Sequence, residues 1–174
     1  MCSNNIEGLE FKVATGRDIS RIIEMLKQLA VWMKDNEINQ WRFLLEGGDD
    51  EEIEQAINNQ ETYIVLKDDQ LVATFTLLST QSEWDKHIWG EELNSSSLYL
   101  HRLAVIPSYM KKELGSSILS WIQNNMNGHQ DYIKLDCVSD NPKLNAFYKR
   151  NNFELIGIKD GHHKYQKELN CRNT

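Results

Sequence analysis

The stretch HRLAVIPSYMKKELGSSI, His101–Ile118, decides the fold. Its first part continues a run from Leu98 to Val105 that reads as a strand. Pro107 has no amide hydrogen to give and halts ladder pairing. The helix that follows near Glu113 carries Leu114, Ile118, Trp121 and Ile122 at helical spacing. The amides at such a helix start lack intrahelical partners and attract anions, and the helix dipole adds to the effect. Gly115 would let a ligand approach the backbone, Ser116 offers a hydroxyl, and Lys111 and Lys112 supply charge. Taken alone, the stretch fits a phosphate-gripping turn or an ordinary strand-to-helix loop.

Reading outward gives the rest of the chain. Tyr132–Val138 alternates as a strand, so residues 98–137 form a strand-helix-strand crossover, with parallel strands and a right-handed connection. The helix between them stops at Asn127-Gly128. Asn141-Pro142 caps and opens another helix, with Leu144, Phe147 and Tyr148 on its apolar side. Asp160-Gly161 is a two-residue hairpin signal between Phe153–Ile158 and His162–Leu169, which puts His162 and His163 beside a turn, facing solvent. On the other side, Phe11–Ala14 reads as a strand. Thr15 and Asp18 form a capping box for a helix reaching about Lys34. Asp49 or Asp50 caps a second helix through about Asn58, where the acidic run Asp49–Glu52 suits a helix N-terminus without any metal. A hairpin turns at Asp68-Asp69-Gln70, and a polar segment with Trp84 and Trp89 leads to the strand at Leu98. This order predicts one α/β domain over residues 1–174, a mixed, mostly antiparallel sheet of about seven strands flanked by four helices.

Composition narrows the function. A net charge of −7 disfavours generic nucleic-acid binding, which needs a basic footprint. No apolar run is long enough to span a bilayer, and the start lacks the pattern of a signal peptide. Cys2, Cys137 and Cys171 lie far apart with no zinc-site spacing, and their odd number fits a reducing cytoplasm. Cys137 is read as a buried strand residue.

With these elements in order, the chain resembles the GNAT superfamily of acyl-CoA-dependent N-acetyltransferases. Val105, Pro107 and Gly115 match the family's strand, proline and pyrophosphate loop, while Met110 replaces the usual Arg or Gln and Glu113 the first glycine. Asn141, Tyr148 and Phe153 match a second pattern, in which Leu144 replaces an alanine and Asn152 a glycine. LHRLAV, residues 100–105, is similar to a strand of serotonin N-acetyltransferase-like members, with His101 at the position of a residue that helps deprotonate the amine.

The resemblance implies an acetyl-CoA-dependent N-acetyltransferase acting on a primary amine in a direct ternary complex. Backbone groups of Leu103, Ala104 and Val105 would hold the thioester and pantetheine. The loop Met110, Lys111, Lys112, Glu113, Leu114, Gly115 and Ser116 would hold the pyrophosphate, and Asn141 would contact the cofactor. Tyr148 would protonate the leaving thiolate and lie near the CoA sulfur. His101 would take the amine proton, with Glu91, Glu92, Asp136 and a water chain as rivals. Trp41, in INQW, and Tyr99 are expected to wall the acceptor pocket; Tyr99, His101 and Leu103 are expected to share a strand face. The departures at Met110 and Glu113 leave an alternative, a catalytically weakened acyl-CoA-binding module. Acetyl-CoA and an amine are the expected partners, with a possible homodimer and neither nucleic acid nor membrane.

Overall fold

A computed structural model describes residues 7–38, 40–94, 96–126, 128 and 130–169. Cys2, Cys171, Asn39 of the INQW segment and Asn127 of the helix stop lie outside the described residues. Seven strands form one sheet in the order β1-β2-β3-β4-β5-β7-β6. They are β1 (Leu9–Val13), β2 (Thr62–Lys67), β3 (Gln70–Leu78), β4 (Ser97–Val105), β5 (Tyr132–Val138), β6 (Glu154–Lys159) and β7 (His162–Glu168). β4 and β5 are the parallel pair, as the crossover requires, and the hairpin pairings are antiparallel. Among the described residues six α-helices accompany the sheet: α1 (Ile19–Asp35), α2 (Asp50–Asn58), α3 (Glu83–Trp89), α4 (Pro107–Met110), α5 (Leu114–Asn125) and α6 (Pro142–Arg150). Two of these, α3 and the single turn α4, add to the four expected. Among the described residues no helix is long and apolar enough to cross a membrane.

The chain resolves into two compact units. One holds the residues up to Thr76 together with Arg102–Ser117. Its entry into α1 follows the sequence: Asp18 accepts from the Thr15 amide at 2.8 Å and from Arg21 Nε at 2.8 Å, closing the capping box. Ile22, Leu26, Leu29 and Met33 then bury one face of α1 against Ile53 and Ile57 of α2 and Ile64 and Leu66 of β2. Each such side chain contributes roughly 1.5–3 kcal/mol of apolar burial. Asp68 and Asp69 close the β2-β3 hairpin with φ of 50° and 63°, the left-handed pair of a tight hairpin turn.

The other unit holds Leu77–His101 and the chain from Ile118 onward. Its core contains Ile118, Leu119 and Ile122 of α5, Ile133 and Leu135 of β5, and Tyr165 of β7. α3 begins with a full capping box, in which Ser82 Oγ accepts from the Asp85 amide and Asp85 accepts from the Ser82 amide. The polar segment before β4 is therefore helical where the sequence reading left it without an element.

Candidate active site

In the unit containing the glycine-poor loop, β4 ends with Ala104 and Val105 buried, and the Ile106 amide donates to the Val72 carbonyl at 3.0 Å. Pro107 occupies the first turn of α4. Met110 packs against the apolar core with Ile106. This accounts for an apolar residue at a position where the family carries Arg or Gln. Lys111, Lys112 and Glu113 are exposed, with Lys112 Nζ 4.8 Å above the Tyr109 ring. Leu114 is fully buried, so any ligand contact there falls to its backbone.

Glu113 explains how the turn survives without its first glycine. Its φ is 59°, in the left-handed region that glycine enters freely, and its carbonyl accepts from the Ser117 amide at 3.1 Å to start α5. The bend here is made by a residue other than the glycine that makes it easy. Gly115 is not among the positive-φ glycines. Trp41, also in this unit, has a φ of 58° and packs beside Ile38 on the α1 core.

Arg102 follows His101 in β4 with φ 49°. That conformation departs from the extended backbone on which the expected two-residue alternation from His101 to Leu103 rests. The Arg102 guanidinium lies 3.4 Å from Asp49 at the start of α2. Burial lowers its pKa from the ordinary value, and the charges of Asp49, Glu52 and Glu61 oppose that shift.

In the other unit, the β4-β5 register runs over Ser97–Tyr99 against Tyr132–Lys134. Past it, His101 Nε2 sits 2.9 Å from Asp85 Oδ1, and the Asp85 side chain is only 2% exposed. Asp85 was not among the expected site residues. Tyr99, expected in a pocket wall, is buried and donates to Glu92 at 2.9 Å. Lys134 Nζ reaches both Glu92 oxygens at 2.8 and 2.9 Å. Asp136 accepts from Trp84 Nε1 at 3.0 Å and pairs with His162 Nδ1 at 3.0 Å. His162 and His163 are thus both half-buried and engaged rather than simply facing solvent.

α6 brings Asn141 and Tyr148 together on one element. Asn141 caps it by accepting from the Leu144 amide at 3.1 Å. Its end is a Schellman motif: the Phe153 amide donates to the Tyr148 carbonyl and the Asn152 amide to the Lys149 carbonyl, both at 3.1 Å. Asn152, standing where the family has glycine, takes the left-handed position with φ 68°. The Tyr148 ring is buried against Phe153 at 5.6 Å, Tyr165 at 5.8 Å and Phe147 at 5.0 Å. Burial, with the nearby Cys137 and Asp136 charges, pushes its phenol well above the usual tyrosine range. Asn145, missed by the sequence reading, lies buried on the same helix face and binds groups on both β5 and β7.

A family model described as an acetyltransferase (GNAT) domain matches residues 58–155. Over 158 residues the chain is 35% identical to the "Uncharacterized N-acetyltransferase YesJ" of Bacillus subtilis (strain 168), covering 90% of this chain and 88% of the relative. A GNAT-family acetyltransferase from Listeria monocytogenes 4b F2365 has a similar structure, with a TM-score of 0.79 and 28% identity over 92% of this chain and 94% of that one. PaiA N-acetyltransferase from Thermoplasma acidophilum, solved in complex with coenzyme A, shares the fold at a TM-score of 0.70 and 16% identity, covering 92% and 98% of the two chains. These matches show that the chain belongs to the GNAT acetyltransferase family.

Proposed function

We propose that the protein is an acetyl-CoA-dependent N-acetyltransferase that moves the acetyl group to a primary amine in a ternary complex, with residues 1–174 working as one acyltransferase domain. The observation that carries this reading is the His101–Asp85 pair. A buried carboxylate 2.9 Å from Nε2 holds the imidazole and stabilises it when it gains a proton. An alkylammonium cannot attack until it has lost a proton, and an imidazole can take it directly or through water.

Tyr148 serves the opposite end of the reaction. Its buried phenol stays protonated at neutral pH and can give that proton to the departing thiolate, regaining it later from solvent. Bound acetyl-CoA would supply the activated acetyl thioester. The Leu114, Gly115 and Ser116 amides at the start of α5 fit a pyrophosphate, with Lys111 and Lys112 beside them. Backbone groups of Leu103, Ala104 and Val105 would bind the pantetheine arm, and Asn141 the cofactor. Trp41 and Tyr99 belong to the acceptor side of this reading. The N-acetyltransferase name of the Bacillus relative and the coenzyme A in the PaiA complex support it. A cytoplasmic setting, consistent with the free Cys137 thiol, and a homodimer complete the proposal.

Calorimetric titration with acetyl-CoA, followed by thiol release across a panel of primary amines, tests the reading. Saturable binding and amine-dependent release are expected. No binding would sink it. Binding without release from any amine would favour a weakened acyl-CoA-binding module, the reading suggested by Met110 and Glu113.

A further inference from the structure

Tyr148 has a positioning problem. Among the described residues its hydroxyl has no hydrogen-bond partner, so nothing at the tip of the side chain fixes it. The ring is located only by its neighbours and by the placement of α6.

Asn145, one helical turn earlier on the same face, supplies that placement. Its Nδ2 donates to two carbonyls, Val138 O at 3.1 Å and Asn141 O at 2.8 Å. Carbonyls only accept, so the amide orientation is determined. Oδ1 must then face the remaining partners: His163 Nδ1 at 2.6 Å, Tyr165 Oη at 2.6 Å and Cys137 Sγ at 3.6 Å. Each of these groups has to donate. His163 therefore carries a hydrogen on Nδ1. Tyr165 is held by this bond with its ring 5.8 Å from that of Tyr148. One buried amide thus ties α6 to β5 and β7 and fixes a wall of the Tyr148 site.

We propose that Asn145 is the positioning residue of Tyr148: through its bonds to Val138, His163 and Tyr165 it holds α6 so that the phenol stays where it is needed. The inference rests on the reading of Tyr148 as the proton donor.

The test combines a double-mutant cycle with a measurement that needs no acceptor. Asn145→Ala is expected to lower kcat for thiol release from acetyl-CoA by roughly 10- to 100-fold, the scale of a small misplacement of a reacting group. Acetyl-CoA Kd should stay within about threefold, since those contacts are proposed elsewhere. In a Tyr148→Phe background the same change should cost little more, because the group it positions is gone. By 13C NMR of labelled tyrosine, Tyr148 should titrate above the ordinary value of about 10 in the wild type and shift back toward it in Asn145→Ala. Tyr165→Phe, which keeps the ring and removes one donor to Asn145, should move both readouts the same way by a smaller amount; it decides the matter if Asn145→Ala does not fold.

Equal kcat losses in both backgrounds, or an unmoved Tyr148 titration, would overturn the inference. If Tyr148→Phe itself leaves turnover unchanged, the proton-donor reading has failed. If Tyr148→Phe lowers turnover while Asn145→Ala and Tyr165→Phe do not, only the positioning role has failed.

Discussion

His101 and Asp85 meet at 2.9 Å although sixteen residues and a change of element separate them: one lies in β4, the other in the first turn of α3. Asp85 does two tasks. It closes the capping box with Ser82 and it stands behind the imidazole.

The two tasks can be separated. Asp85→Asn keeps an oxygen for the Ser82 amide and removes the charge. We expect a fall in kcat of about tenfold or more, part of the ~10²–10⁴ that a positioned base contributes. Acetyl-CoA affinity should not change, and stability should fall by no more than about 1 kcal/mol. Steady-state kinetics beside calorimetry and a melting curve will check this; unchanged kcat would remove the pair from the mechanism.

Glu113 makes a backbone prediction and a charge prediction. The left-handed conformation costs an L-residue roughly 1–2 kcal/mol, while glycine adds about 0.5–1 kcal/mol of unfolded-chain freedom. Glu113→Gly should therefore be neutral or stabilise by up to about 1 kcal/mol, whereas Glu113→Val should destabilise by about 1–3 kcal/mol, measured as urea midpoints. Glu113→Gln isolates the charge. Because the carboxylate is exposed, it should tighten acetyl-CoA by about threefold at most, and by less as salt rises.

Asn152 should tolerate glycine and resist alanine. Asn152→Gly preserves the left-handed end of α6 and should leave the melting temperature nearly unchanged. Asn152→Ala should cost about 1 kcal/mol, since Ala bears the full penalty at φ 68°. An equal response to both would show that the Schellman end contributes little.

His162 gives a pH-dependent stability. Pairing with the Asp136 carboxylate, which accepts from the imidazole, raises its pKa above the ordinary value, outweighing the opposing effect of burial. The fold thus favours the charged imidazole. Its contribution is fully present below the unfolded value of about 6.5 and disappears as pH rises through the folded one. The melting temperatures of wild type and His162→Gln should differ more at about pH 6 than at about pH 9; a constant gap would contradict the linkage.

Much of this was legible in the sequence because local chemistry determined it. Thr15 with Asp18, Asn141-Pro142, Asp68-Asp69 and Asp160-Gly161 each specify a cap or turn within a few residues, and each formed as expected. α3 was harder to see. Over Glu83–Trp89 only Asp85 and Ile88 are buried, which leaves no apolar stripe to reveal the helix. Its signal was the Ser82-to-Asp85 spacing of a capping box. The Asp85–His101 and Asn145–His163 contacts depend on which elements pack together, and no local pattern carries that information. At Glu113 the family pattern identified the missing glycine, but only the backbone revealed the left-handed conformation, which glycine enters freely.

Cys137 has a consequence at the bench. Burial, with the neighbouring Asp136 charge, pushes its thiol up to about 12. Thiolates react with disulfide reagents and thiols do not, so at pH 8 only a very small fraction of Cys137 is in the reactive form. A chromogenic disulfide can therefore be left in the cuvette throughout turnover, and this thiol will add almost no colour of its own.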